Sequence, residues 1–453
     1  MKKLRFIIAI WFAKLVFLAC KLKGSRASTM PGKMAHRICP QFLSIITPKV
    51  RGKIIAVCGT NGKTTASNLI NDAALAAGCK TVCNNTGANM INGIATAFAK
   101  RASLFGGLNC DYACLEVDEA TMPILADRVN LDIIVVTNLF RDQLDRYGDS
   151  TATAGMLTTA FDKSPNAALI LNADDPVTSA FGRNRDNTCY YGILQNPNLP
   201  YCGKSDVRIP CSECGGAIDY AYRIYEHLGK YTCANCVTQN VAADFGARNI
   251  RTVNGTLDFE IVHNDESMPI STGVTGMYNV YNMLMSMAAC TAAGMDIQTT
   301  LQSLRNQQPQ PGRMSRFTIG GKDVFLILSK NAVGFNQSFT LALSDSRPKD
   351  ILVHLNDTPA DGEDISWLWD VDFETLYTSD AGRYIITGER RYDIYLRLKY
   401  AGYDESKLII EDDIKTALGT LLGGENDVCY AAVNYSDIHP AFLELDRLQG
   451  SAK

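Results

Sequence analysis

The run Val57-Cys58-Gly59-Thr60-Asn61-Gly62-Lys63-Thr64-Thr65 is the first part of the sequence that could do chemistry. A β-rich apolar stretch, Ile54 to Val57, precedes it, and a helical stretch begins near Lys63. Gly59 and Gly62 let backbone N–H groups approach phosphate oxygens, Lys63 brings a cation to the β- and γ-phosphates, and the Thr64 hydroxyl can ligate Mg²⁺. Val57 stands where the usual phosphate loop begins with glycine, so the strand-to-helix context carries the assignment more than the letters do. The expectation is a site for ATP on Gly59, Thr60, Asn61, Gly62, Lys63, Thr64 and Thr65.

A second pattern pairs Cys211 with Cys214 and Cys233 with Cys236, with Gly215 and Gly216 after the first pair. Two Cys-x-x-Cys knuckles at this separation are the spacing of a structural zinc ribbon, in which four thiolates close a tetrahedral Zn²⁺ site and leave no position open for water. The metal is therefore expected to serve folding or partner docking. His227 lies between the pairs and is not needed as a ligand.

Short β-rich runs alternate with helical stretches around these motifs: 54–57, 112–117, 133–137 and 168–171, then, beyond the Pro/Gly-rich segment 308–312, 324–328, 350–354, 384–387 and 408–411. Such alternation predicts α/β architecture with parallel sheets covered on both faces. We divide the chain into an N-terminal amphipathic helical segment (1–48), a central ATP-binding domain (49–312) with the ribbon inserted at about 201–238, and a Rossmann-like C-terminal α/β domain (313–453).

A formal net charge of −3 gives no global basic field, and nucleic acid is not an expected partner. The cysteines are spread along a chain without a cleavable signal, which points to a reducing cytoplasm. Residues 6–20 form an apolar run interrupted by Lys14 and flanked by Lys2, Lys3, Arg5, Lys21 and Lys23. A spanning helix needs about 20 apolar residues. The expectation is an amphipathic helix that covers either the protein's own domain or an anionic membrane surface at the inner face of the cell membrane.

Gly59 to Thr65 resembles the nucleotide loop of the Mur ligases, which add amino acids to peptidoglycan precursors, and of their folylpolyglutamate synthase relatives. Further segments follow in the order that resemblance requires. Glu116, in Leu115 to Glu119, matches a Mg²⁺-binding glutamate. The stretch 137–148 is similar to a Thr-Asn…Asp-His-Leu-Asp segment and carries Asn138, but has Gln143 where many members have a metal-associated His. Asn172, Asp174 and Asp175 resemble a nucleotide-contacting segment, Asn279 falls in the counterpart of a Gly-x-His-Asn-x-x-Asn segment, and Arg313 matches a linker arginine that reaches ATP. The resemblance implies phosphorylation of a carboxylate to an acyl phosphate, with Lys63 and Glu116 as catalytic groups and Thr64 and Glu116 holding Mg²⁺.

Only about fifty residues precede the loop, too few for the UDP-binding domain of Mur ligases. Together with the ribbon and the segments 330–337 and 355–370, this resembles the MurT family, ligase-like subunits of lipid II isoglutaminyl synthase. That resemblance implies amidation of the D-glutamate α-carboxylate of lipid II to D-isoglutamine, in a heterodimer with a GatD-like glutaminase subunit that supplies ammonia. It also implies an aspartate completing the partner's triad, for which we take Asp364, with Asp361 and Asp357 as alternatives. No complete glutaminase is visible in this chain. Two other readings are a stand-alone Mur or folylpolyglutamate-type amino-acid ligase and a non-catalytic zinc-ribbon adaptor.

Overall fold

The computed structural model describes residues 2–22, 27–84, 88–140, 150–198, 209–253, 256–274, 276–307, 314–359, 361–377 and 381–451. Gln143 and Arg313 lie outside the described residues.

Among the described residues the first sheet has nine strands. These are β1 (Ile54–Cys58), β2 (Thr81–Cys83), β3 (Tyr112–Glu116), β4 (Ile133–Val136), β5 (Ala168–Asn172), β6 (Thr188–Ile193), then β9 (Phe245–Val253), β10 (Thr256–His263) and β11 (Glu266–Thr272), in the order β11-β10-β9-β6-β5-β4-β1-β3-β2. The hairpin β7 (Ile218–Tyr225) and β8 (Leu228–Cys233) stands apart as a two-stranded antiparallel sheet. A six-stranded sheet follows: β12 (Met314–Ile319), β13 (Lys322–Leu328), β14 (Lys349–His354), β15 (Ala381–Thr387), β16 (Leu408–Ile410) and β17 (Val428–Val433), in the order β12-β13-β17-β14-β15-β16.

Strand β1 is buried along its whole length, as a continuous apolar run in a sheet covered on both sides requires. Its pleat sends Ile55 and Val57 to one core, and Ile54, Ala56 and Cys58 to the other. The first core is filled by the helices Lys63–Ala76 and Met277–Ala292, the latter apolar on nearly every side and so buried between other elements. The second core takes the helix Ile91–Arg101 and one face of the N-terminal helix Lys2–Leu22. Phe6, Ala9, Ile10 and Ala13 recur at helical spacing and form that face. The helix therefore covers the protein's own domain, one of the two surfaces expected for it.

Two features differ from a purely parallel reading. Strands β9, β10 and β11 pair antiparallel and extend the first sheet, and β12 pairs antiparallel with β13 at the edge of the second. Strand β10 carries a half-buried pattern, with Leu257, Phe259 and Ile261 inward, and this alternation had no apolar run to announce it.

Strand β1 lies between β3 and β4, so the chain leaves it toward opposite sides of the sheet. Crevices for ligands form beyond the carboxyl ends of strands at such a reversal. The phosphate loop occupies that point.

Candidate active site

The loop from Cys58 to Lys63 is set by two glycines. Gly59 has φ 118° and Gly62 has φ 89°, left-handed values that side chains resist. A Cβ on Gly59 would stand 2.3 Å from Thr137 Oγ1, and one on Gly62 would stand 2.5 Å from Asn282 Oδ1. The helix Lys63–Ala76 starts directly after Gly62, so its unpaired N–H groups and positive dipole end face the loop's concave side.

Asn138 braces the loop from β4's end. Its Oδ1 accepts from Asn61 N at 3.0 Å, its Nδ2 donates to Asn61 O at 3.1 Å, and its carbonyl accepts from Thr60 N at 2.8 Å. The Thr60 hydroxyl exchanges bonds with the Phe140 backbone, donating to its carbonyl and accepting from its N–H, both at 3.1 Å. Asn61, Gly62, Lys63, Thr64 and Thr65 are half-buried around the mouth.

Lys63 is only 11% exposed, and its ammonium donates to Glu119 Oε1 at 3.0 Å as well as to the Gly59 and Thr60 carbonyls. Glu119 Oε1 also accepts from Gly59 N at 2.8 Å. Sequence reasoning missed Glu119. It was in view beside Glu116, but its pairing with Lys63 appears only once β1 and β3 lie together.

The β1–β3 register sets Val57 opposite Glu116 and so brings that carboxylate beside the loop. Asn84 fixes the Glu116 backbone, accepting from its N–H and donating to its carbonyl, both at 2.8 Å. Asn89 Nδ2 reaches Glu116 Oε1 at 3.5 Å, while the buried Oε2 has no hydrogen-bond partner among the described residues. A buried carboxylate oxygen without a donor is costly, and a cation is the ordinary remedy. The Glu116 carboxylate thus offers an oxygen suited to a hard cation such as Mg²⁺.

Asn172, Asp174 and Asp175 sit behind the loop and are all buried. Asp174 Oδ2 accepts from Ile193 N at 2.7 Å and from the Tyr281 hydroxyl at 2.8 Å, and Asn172 Oδ1 accepts from Asp174 N at 3.0 Å. Asp175 Oδ1 accepts from Val177 N at 2.8 Å and meets His227 Nε2 at 3.2 Å. These contacts hold the segment in place, while the buried Asn172 Nδ2 and Asp175 Oδ2 have no hydrogen-bond partner among the described residues. Asn279 stands nearer the loop, its Oδ1 accepting from Asn282 at 3.3 Å.

A cavity of about 370 Å³ opens between the loop and the second sheet's helix Ala332–Ser344. Asn61, Gly62, Thr65, Asn138, Asn279 and Asn282 line one wall, and Val333, Gly334, Gln337 and Ser338 line the opposite one. Asn331 caps this helix, accepting from Gly334 N at 2.9 Å, and its Nδ2 reaches Asn61 Oδ1 at 3.4 Å. A second helix N-terminus is therefore directed at the phosphate loop, which favours a polyanion between the two.

The four sulfurs of Cys211, Cys214, Cys233 and Cys236 all lie within 4.8 Å of one another, with 3.6 Å between Cys211 and Cys236 and 3.4 Å between Cys214 and Cys233. Tetrahedral ligation at a Zn–S distance of about 2.3 Å would place sulfurs about 3.8 Å apart. Backbone N–H groups of Gly216 and Asn235 donate to Cys214 and Cys233 sulfurs, contacts that suit thiolates. Among the described residues this is the one cluster of three or more His, Cys, Asp or Glu side chains arranged for a metal.

The hairpin between the two cysteine pairs reaches back to the site. His227 is buried at its tip, bonded to Asp175 and packed edge-on against Phe140 at 5.0 Å. Glu226, with φ 50°, accepts from Asn336 Nδ2 at 3.0 Å, and burial raises its carboxyl pKa. The tip thus joins the segment behind the loop to the second sheet's helix. Sequence reasoning set His227 aside because it counted only metal ligands.

Asp364 lies apart, in the segment after β14, partly exposed, its Oδ1 accepting from Ser366 N at 2.8 Å. Asp361 is buried and accepts from Thr358 Oγ1 at 2.6 Å and Ser436 N at 2.9 Å, and Asp357 is paired with Arg390 at 2.7 Å.

The chain matches the Mur ligase middle domain over residues 57–199 and the MurT ligase C-terminal family over residues 328–438. Solved structures of similar fold include a pseudomurein peptide ligase type C from Methanothermus fervidus, with TM-score 0.69 and 20% identity over 88% of this chain and 79% of that one. MurF from Acinetobacter baumannii gives TM-score 0.65 and 13% identity over 93% and 80%. Fold and site together define a Mur-type ATP-dependent ligase. The chain is 32% identical to the MurT subunit of the glutamine-hydrolysing lipid II isoglutaminyl synthase of Streptococcus pneumoniae, over 94% of this chain and 93% of that protein. With the Staphylococcus aureus (strain COL) MurT subunit the identity is 30%, over 97% of both. This chain belongs to the MurT family.

Burial raises the Asp174 carboxyl pKa from 3.8 to about 7, partly offset by its bonds to Ile193 and Tyr281. The folded chain then holds a proton that the unfolded chain releases, so this group's contribution to stability falls as pH climbs between those values. Asp174→Asn is expected to gain stability relative to the parent from about pH 4 to about pH 7 and then level off. Denaturant unfolding across that range measures it, and a pH-independent difference would contradict the raised carboxyl.

Proposed function

We propose that this chain is the ATP-using subunit that amidates the α-carboxylate of D-glutamate in the lipid II stem peptide, giving D-isoglutamine during peptidoglycan biosynthesis. The observation that carries the proposal is the buried Glu116 Oε2 without a partner, next to a phosphate loop whose Lys63 cation is nearly buried. A dormant nucleotide fold has no reason to retain both, which weighs against the adaptor reading.

A carboxylate oxygen of the substrate attacks the γ-phosphorus of ATP and ADP departs, leaving an acyl phosphate. Ammonia then adds to the acyl carbon, phosphate leaves and a proton is lost. Mg²⁺, when bound, neutralises phosphate charge. The chain's own groups set the geometry: Gly59 to Gly62 shape the cradle, Lys63 would face the transferring phosphoryl group, Thr64 and Glu116 would hold the metal, and the Asn331-capped helix presents its positive end from the other wall. Arg313 completes the set of proposed ATP contacts.

Lys63→Ala and Glu116→Gln are each expected to lower ATP-dependent amidation by on the order of 10³-fold while the fold persists, since both remove charge stabilisation and little core. Near-normal turnover in either variant would overturn the assignment.

The four-cysteine cluster is proposed to hold Zn²⁺, and its hairpin to carry the effect to the ATP site through His227. Elemental analysis should find one zinc per chain, and His227→Ala should raise the KM for ATP roughly tenfold with the zinc retained. Protein that contains no zinc or iron would rule out the metal, and an unchanged KM would rule out the coupling.

The relatives' name, a subunit of a glutamine-hydrolysing lipid II isoglutaminyl synthase, supports a partner subunit; we take that partner to be a GatD-like glutaminase in a heterodimer that works in the cytoplasm on lipid II. Asp364 is our choice for the carboxylate that orients the partner's catalytic histidine, because it is partly exposed whereas Asp361 is buried. Asp357 remains the second choice. Asp364→Asn is expected to suppress glutamine hydrolysis in the complex, because an amide cannot stabilise an imidazolium. Free ammonia should restore amidation in Asp364→Asn but not in Lys63→Ala. Unchanged glutaminase activity would move the role to Asp357.

A further inference from the structure

The N-terminal helix has two apolar faces, and the fold uses one. Phe6, Ala9, Ile10 and Ala13 are buried against the first sheet's helices. On the opposite side Leu4, Ile8, Trp11, Leu15, Leu18 and Leu22 recur at spacings of three and four, and so share one stripe. Leu15 is 62% exposed and Leu22 81%. Trp11 Nε1 donates to Leu104 O at 2.7 Å, which ties this stripe to a loop whose Phe105 is 83% exposed. Trp11 is thus anchored at its polar atom while its ring stays partly open.

Charge around the stripe is one-sided. Residues 1–110 hold 16 of the chain's 44 Lys and Arg but only one of its 47 acids, Asp72. The helix itself carries Lys2, Lys3, Arg5, Lys14 and Lys21 and no acid, and exposed Lys33, Arg37, Lys100 and Arg101 lie on the helices packed against it. Nine cations and no acid therefore lie on the helix that carries the exposed apolar stripe and the two helices packed against it, in a protein whose net charge is −3. No helix among the described residues is long and apolar enough to cross a membrane.

We propose that the stripe from Leu4 to Leu22, with Phe105, docks the enzyme on an anionic lipid bilayer, the helix lying in the headgroup plane with its Phe6 face still packed on the protein. An apolar face immersed between headgroups and flanked by cations is the pattern of interfacial helices, and each cation near an anionic surface strengthens the attachment. A protein partner over this stripe would need acids to match the cations and is the principal competing occupant.

The test is co-sedimentation of the full chain with its partner subunit and vesicles of phosphatidylglycerol and phosphatidylcholine, against phosphatidylcholine alone. Binding to the anionic vesicles is expected to be at least about tenfold stronger and to fall with salt. The double variant Leu15→Glu/Leu18→Glu, altered only at exposed positions, should lose that binding while keeping its thermal unfolding and its amidation of detergent-solubilised lipid II. Equal binding of the variant, or none by the parent, overturns the proposal. So does loss of the partner subunit from the variant, which would mean that protein covers the stripe. The vesicle result is independent of the amidation reading, which fails separately if the parent does not amidate the solubilised substrate.

Discussion

A lysine ammonium held nearly out of water at the end of β1 is the constraint on which the rest of the site depends. Burying such a charge costs several kcal/mol unless it is matched. Glu119 matches Lys63 at 3.0 Å and binds the Gly59 N–H as well, so one carboxylate fixes both the cation and the loop that frames it. Gly59 is required because Thr137 Oγ1 and the Asn138 backbone leave no room for a Cβ, and Gly62 because its φ of 89° is left-handed. Asn138 then takes up the Asn61 backbone groups that the turn leaves over.

The second sheet and the cysteine hairpin act on this centre from outside. Asn331 brings a helix N-terminus to the loop, and Asn336 on the same helix meets Glu226 at the hairpin tip. Through His227 that tip also rests on Asp175 and Phe140, and Phe140 exchanges hydrogen bonds with Thr60. Contacts of the hairpin tip therefore tie the insert both to the segment after β5 and to the second sheet's helix.

Much of this was legible in the sequence where local chemistry is self-contained. The phosphate loop, the two cysteine knuckles and the apolar strands β1, β3, β4 and β5 announce themselves within a few residues. Pairings across the fold do not: Glu119 becomes a partner for Lys63, and Asn84 a brace for Glu116, only through the placement of β1, β2 and β3. The bonds of Asp174 to Ile193 and Tyr281 likewise join positions far apart in the sequence. Strands β9 to β11 escaped notice because half-buried antiparallel strands alternate and form no apolar run. The N-terminal helix showed its amphipathic character, but which face packs and which stays open required the neighbours of Phe6 and Trp11.

The central claim is that this chain by itself activates a carboxylate with ATP for attack by ammonia. Mass spectrometry of solubilised lipid II after incubation with this chain, ATP, Mg²⁺ and an ammonium salt, without any glutaminase, tests it most directly. The account predicts a mass change at the stem-peptide glutamate equal to replacing a hydroxyl by an amino group, and dependent on ATP. An unchanged mass, or an increase matching an added amino acid, would contradict it.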